Sequence, residues 1–424
     1  MRTRQFSPVL LFLIASASAI AQVQQPDAIF KSAHDNITAV DPFDVGTGIY
    51  YREYEDLFVK DTIPIDLIRT QRNMDPRSRS FGVGGSTSYD MFIVGDVSKF
   101  SWVALVLADG AQERYARISP GTGFADGVFE NKTSLDKFFG SRIAWNQHGG
   151  WKVSMRDGIE LTIQGCGAKS KPGQCAVTEI KNEKGDRLSV QRDREGNILR
   201  ITSPHGHTVS FQNDSEGRII KAQDDAGRWV SYQYDENGSL KKATNWRGTT
   251  QQFRHDARFN MISAHETTPR AGHPVYEVTL TNRFDEKDRF AGQKVSTGEF
   301  ASAKYTTAAN GEIRDVSVHS QDGFSHYFFN GGGYEVREDY SRKSSGTDWS
   351  LRRVRDSQTN AVTDLRLFCG ASQIKLPIKL DGTLENSEAY IPYFSRFCSE
   401  MAHNNRRPQA KPVSDLAPNA TSRR

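Results

Sequence analysis

Residues 185–268 read as four rows of 21: GDRLSVQRDREGNILRITSPH (185–205), GHTVSFQNDSEGRIIKAQDDA (206–226), GRWVSYQYDENGSLKKATNWR (227–247) and GTTQQFRHDARFNMISAHETT (248–268). Gly185, Gly206, Gly227 and Gly248 lead the rows, and Asp193, Asp214, Asp235 and Asp256 stand eight places later. In three rows a glycine follows three residues on, as Gly196, Gly217 and Gly238, and the next apolar position repeats as Ile198, Ile219, Leu240 and Met261. Several columns sharing one period mark a repeat protein.

Each row has the chemistry of a β-hairpin. Val230, Tyr232 and Tyr234 alternate with polar residues, as do Val209 and Phe211, so one strand face is apolar. Asp-x-x-Gly is turn chemistry, because Asp bonds nearby backbone and Gly tolerates positive φ. A second strand follows, with Ile201, Ala222, Ala243 and Ala264 in one inner column, small enough for close approach. A lone hairpin cannot bury its apolar face, so the units must stack. The predicted fold is all-β: stacked hairpin repeats forming a curved, spiral sheet, with a β-rich N-terminal domain.

The bulk composition agrees. Hydrophobic content is 37%, aromatics reach 10% and glycine stands at 35 residues in 424, a balance of turns and strands and not of helical bundles. The formal charge of +4 is concentrated at the ends. Arg2 and Arg4 lie in the leader, and the segment from His403 carries five cations against Asp415, which leaves the body near −2. No electrostatic footprint for nucleic acid is expected.

The N-terminus has the layout of a secretory signal: Arg2 and Arg4, an apolar run from Val9 to Ile14, and Ala19-Ile20-Ala21 before a cut at Gln22. The apolar run is short for a membrane span, and no other segment is long enough. Export places the four cysteines in an oxidising compartment. Of three possible connectivities, nearest-neighbour pairing gives Cys166–Cys175 and Cys369–Cys398, with upper-limit stabilisations of about 3 and 4 kcal/mol. The spacing suits no zinc site.

Gly227…Tyr234-Asp235-x-x-Gly238-x-Leu240…Gly248 resembles the YD repeat of the Rhs family, which teneurins and the shells of Tc toxins share. The other rows depart from it, with Arg192, Asn213 and His255 at the Tyr position. Looser units follow at Phe284-Asp285, Tyr305-Thr306 and Phe329-Asn330, and a polar insertion from Thr267 to Pro274 breaks the phase. Upstream, Asp41-Pro42-Phe43-Asp44-Val45-Gly46-Thr47-Gly48, Arg69-Thr70-Gln71 and Phe81-Gly82-Val83-Gly84 are similar to the opening segment of many Rhs proteins. The resemblance covers about residues 40–340 and implies a bacterial protein, periplasmic or extracellular. Together with the signal and the Pro-, Arg- and Asn-rich tail read from composition, this gives the expected plan: signal peptide 1–21, linker 22–40, N-terminal β domain 41–165, repeat array 166–366, Cys-bracketed cap 367–402 and disordered tail 403–424.

No catalytic, cofactor or metal residue is expected. Asp235-Glu236-Asn237-Gly238 lacks the alternating oxygen ligands of a calcium loop, and Gly206 between His205 and His207 belongs to the repeat. Asp224 and Asp225 are adjacent, so on a strand they face opposite ways. There is no Gly-x-Ser-x-Gly, His-Glu-x-x-His or phosphate-loop motif. Trp229, Tyr232, Tyr234 and Trp246 are candidates for stacking a ligand, or else they fill the repeat's own core. The expected function is a non-enzymatic scaffold or binding module of the cell envelope or exterior, recognising glycan or a partner protein. The alternatives are an accessory or remnant of an Rhs-type toxin-delivery system, and a hydrolase with an unrecognised site. An open, capped spiral fits the length better than a closed shell.

Overall fold

A computed structural model of the chain describes residues 38–39, 43–133, 137–146, 148–165, 170, 172–271, 275–298, 300–321, 323–342, 348–358, 360–376 and 398. The signal segment, most of the linker, Cys166 and the tail lie outside these residues.

One turn design recurs at both ends of the sheet. The Asp193 N–H donates to the Asn197 carbonyl (3.0 Å) and the Gly196 N–H to the Asp193 carbonyl (3.1 Å). This is a three-residue hairpin loop ending in a left-handed residue, Gly196 at φ +90°. The Asp193 carboxylate locks the loop by accepting from the N–H groups of Glu195 and Asn197, both at 2.9 Å. Asp214, Asp235, Asp256 and Asp285 repeat these bonds. At the opposite end of each unit, Asn182 and Asn245 do the same ahead of Gly185 and Gly248. The row is therefore two similar half-units, a relation hidden because the second turn is headed by Asn182, Ser203, Asp224 or Asn245. Where glycine is missing, Phe259 and Asp288 take φ +64° and +63°.

These hairpins join into one antiparallel ribbon of 25 strands, from Phe92–Gly95 to Ser372–Lys375, each paired with its neighbour in sequence. Among the described residues no ladder joins the last strand back to the first, so the ribbon is open. Its first eight strands, ending with Val177–Lys181, curl until Phe92 bridges Ala176 and the Val177 N–H reaches the Met91 carbonyl at 3.1 Å. Ile93, Val103, Leu105, Tyr115, Phe129 and Trp151 fill that first turn. The sheet does not break at residue 165, and its strand Val362–Cys369 runs across the expected boundary at 366. Thr38–Ala39, placed in the linker by sequence, pairs with Phe43–Asp44. Cys369 is bonded to Cys398, with Cα atoms 5.1 Å apart. Cys175 is also disulfide-bonded, and its expected partner Cys166 lies outside the described residues.

The ladder explains the curvature. Ile201 lies level with Val209, and Val209 with Asp224, although the repeat equivalent of Ile201 is Ala222. Successive units thus slip by two residues, the shear that converts a stack into a spiral. Spacing at the two ends differs. A Cβ on Gly185, Gly206 or Gly227 would meet nothing within 4 Å, whereas on Gly217 it would sit 2.3 Å from Asn197 Oδ1 and on Gly196 2.3 Å from the Gln174 nitrogen. The Gly196 and Gly217 turns are closely packed, whereas those of Gly185, Gly206 and Gly227 stand clear of their neighbours.

The Tyr position of the motif has one bonding role across its substitutions. The Tyr234 hydroxyl donates to the Ile219 carbonyl (2.6 Å), Tyr305 to Phe290 (2.7 Å), Asn213 Nδ2 to Ile198 (3.0 Å) and Arg192 Nε to Val177 (3.3 Å). In each case the acceptor lies 15 residues back. The Ile198 and Ile219 carbonyls adjoin a ladder bulge, where strand pairing is disrupted. Tyr, Asn and Arg are interchangeable here because each supplies a donor.

Candidate functional site: the plugged concave face

The concave face of the repeats is covered by the chain's own residues 43–90. The long hairpin Tyr51–Val59 and Ile65–Arg72, with Gly85–Thr87 added to it, forms a separate small sheet laid against the repeats. Phe43, Val45, Tyr50, Leu57, Val59, Ile65, Leu67 and Phe81 share one apolar cluster with Val209, Ala222, Val230, Tyr232, Ala243 and Phe253. The small-residue column therefore lines a core filled by a second layer. A hairpin array exposes its apolar face unless something covers it, and the same chain supplies the cover.

Polar groups lock the layers together. Arg69 is 0% exposed and pairs with Asp56 at 2.9 Å, and its Nη2 donates to Gln251 at 2.6 Å. Its guanidinium lies 4.5 Å from the Tyr54 ring centre and 5.4 Å from that of Phe253. The Tyr232 hydroxyl donates to the same Asp56 carboxylate at 2.7 Å. Burial alone would lower the Arg69 pKa, but Asp56 more than offsets this and raises it. A second knot surrounds Asp75, which binds Arg72, Arg77 and Arg79; burial opposes its ionisation, yet the three guanidinium groups hold it well below the usual carboxylate range. Backbone bonds stitch the plug to the turns: Ile219 N–H to Ser80 (2.8 Å), Val83 N–H to Gly238 (3.0 Å) and Phe290 N–H to Gly48 (2.8 Å). At the hairpin tip Asp61 accepts from Ser203 and meets His205 Nδ1, both at 2.5 Å.

The four aromatic candidates do not form one stripe. Tyr232 is 3% exposed and faces the plug, its ring tilted at 57° to that of Phe81 with centres 4.9 Å apart. Tyr234 is half-buried, with Arg218 4.6 Å from its ring centre. Trp229 is half-buried at the start of its strand, while Trp246 is 41% exposed on a turn beneath Arg247. His205 and His207 turn apart to Asp61 and Asp225. Among the described residues no group of three or more His, Cys, Asp or Glu could hold a metal.

Sequence reasoning missed two features. One is a cleft of about 190 Å³ beside the plug, lined by Arg52, Tyr54, Gln251, Glu266, Tyr276 and Leu280. Its wall comes from the strands Met261–Thr268 and Tyr276–Phe284, which flank the phase-breaking insertion and are longer than the five- or six-residue strands of the regular rows. The other is a buried group of Tyr327, Glu335, Glu338 and Arg353, in which Arg353 pairs with Glu335. Burial raises the Glu338 carboxyl pKa, opposed by Arg353. Neither acid lines the cleft.

The fold and site define a class: an antiparallel ribbon of hairpin repeats, plugged by its own N-terminal segment. No family model and no curated protein matches the chain. It is similar to a solved TcdB2-TccC3 chain at 9% identity and TM-score 0.36, covering 77% of this chain and 22% of that one. A chain of the Photorhabdus luminescens Tc holotoxin pore matches at 11% identity and TM-score 0.27, over 77% and 21%. A porin-like protein from Bacteroides uniformis matches at 10% identity and TM-score 0.20, over 50% and 89%. The chain spans less than a quarter of the toxin chains it matches. Among the described residues no helix is long and apolar enough to cross a membrane.

Proposed function

We propose that this chain is a non-enzymatic structural module of an exported Rhs-type toxin system, acting by holding a partner protein outside the cytoplasm. One observation carries the reading: the concave face of the repeats is filled by residues 43–90 and sealed by the Arg69–Asp56–Tyr232 knot. A face so occupied cannot enclose a cargo domain, which leaves the outer surface and the ribbon's ends for contacts. The resemblance of the 21-residue unit to the Rhs/YD repeat supplies the system. Fold alone does not specify activity, so the reading needs a direct test.

The test is co-expression of the full chain with each toxin-system protein encoded beside it, followed by size-exclusion chromatography with light scattering. A defined complex that survives chromatography is the expected result. A chain that stays alone with every such neighbour, or a neighbourhood lacking a toxin system, overturns the proposal.

A further inference from the structure

The outer face of the regular rows carries charge of one sign. In the ladder, Arg200 lies opposite Gln191 and Ser210, Lys221 opposite Gln212 and Ser231, and Lys242 opposite Gln233 and Gln252. These residues alternate with the buried ones, so they point away from the plug. Arg254 continues the set in the fourth row. Every carboxylate between Arg187 and His255 (Asp193, Glu195, Asp214, Glu216, Asp224, Asp225, Asp235 and Glu236) sits in a turn or at a strand end beside one. None of the four cations makes an ion pair within the chain among the described residues.

We infer that this face binds a linear acidic polysaccharide with widely spaced charges. Each unit is two strands wide, so the cations recur at roughly 10 Å across the strands. They form a slanting row that follows the bend of the ribbon. A flexible chain can follow that bend; a flat lipid surface meets only part of it. Duplex nucleic acid carries a charge about every 1.7 Å, far denser than this row, and single strands need a run of aromatic platforms. The block offers Trp229 and the 41% exposed Trp246 together at one strand end, where the Trp246 N–H donates to the Trp229 carbonyl at 2.8 Å, and not a run along the row. A protein partner would need a clustered apolar anchor, whereas the exposed apolar side chains beside the row, Leu199 and Ile220 (37% each), stand singly, one to a unit. Between the cations stand Ser, Thr and Gln side chains, which offer donors and acceptors to sugar hydroxyls. The inference does not rest on the proposed toxin-system role.

The test is titration of the full chain with hyaluronate oligosaccharides, which carry a carboxylate on alternate sugars, in low-salt buffer. Neutral dextran, single-stranded DNA and phosphatidylglycerol vesicles run in parallel. Binding that weakens with salt is expected, falling at least about tenfold in Lys221→Glu/Lys242→Glu. It should persist in Arg142→Glu, a charge reversal on a strand of the first turn, with thermal melts confirming that each variant is folded. No binding to hyaluronate overturns the inference. So does equal loss in Arg142→Glu, which would mean unspecific net charge, or tighter binding to DNA or vesicles.

Discussion

The Tyr232 hydroxyl donates to the Asp56 carboxylate at 2.7 Å across 176 residues of chain, and Arg69 reaches the same carboxylate from the plug's second strand at 2.9 Å. One acid thus ties the middle of the repeat array to the hairpin that covers it.

Removing that acid strands a buried cation. Asp56→Asn is expected to destabilise the chain by about 3–5 kcal/mol, because Arg69 loses its countercharge where water cannot replace it. Tyr232→Phe removes one hydrogen bond to a charged group and should cost about 1.5–3 kcal/mol. Urea unfolding of the two variants checks the order. Equal losses would mean that the ion pair is not what the burial of Arg69 depends on.

Gly206 and Gly217 occupy equivalent turns at opposite ends of the sheet, with φ of +87° and +81°. Alanine at 206 meets only the conformational penalty, about 1–2 kcal/mol. Alanine at 217 also places a Cβ 2.3 Å from Asn197 Oδ1, so its turn must move. Gly217→Ala should lower the melting temperature clearly more than Gly206→Ala. The reverse order would show that the Gly217 turn is not the more closely packed of the two.

His255 stands where Tyr234 and Tyr305 donate to a carbonyl 15 residues back, but its buried Nδ1 has no partner. His255→Tyr places a hydroxyl toward the Leu240 carbonyl and should add about 1 kcal/mol at neutral pH. Burial holds the His255 pKa below its usual 6.5. The folded state therefore resists protonation, and this part of the stability, present above 6.5, is lost as pH falls toward the depressed value. The gain in the Tyr variant should widen between pH 7 and pH 5.5. A constant difference across that range would exclude the titration.

Glu338 has the opposite sign. Burial raises its carboxyl pKa above 4.5, so ionisation costs stability as pH rises from 4.5 through the raised value. Glu338→Gln keeps the shape of the protonated acid. It should stabilise by about 1 kcal/mol at pH 7 and leave stability unchanged at pH 4. Melts at the two pH values decide it; destabilisation at pH 7 would mean that Arg353 needs this carboxylate as an anion.

The period, the Asp-x-x-Gly turns and the strand alternation were legible because each is local: a residue type, a backbone angle and a spacing. The second half-turn of each row was not, since Asn182, Ser203, Asp224 and Asn245 build one loop from different side chains. The departures at Arg192 and Asn213 look like decay in sequence, yet they keep the hydrogen-bond donor. Tyr232 reads as a possible ligand platform because nothing local reveals that Arg69 and Asp56 lie behind it.

From its sequence alone this protein is a ribbon of hairpins on a 21-residue unit, since alternation and turn chemistry act over a few residues and need no distant partner. Only the tertiary structure decided what covers the apolar face and where the charge goes. Burial pairs residues 43–90 with strands far along the chain. The turns gather the carboxylates at the sheet's ends, which leaves Arg200, Lys221 and Lys242 on an outer face that a near-neutral body composition conceals.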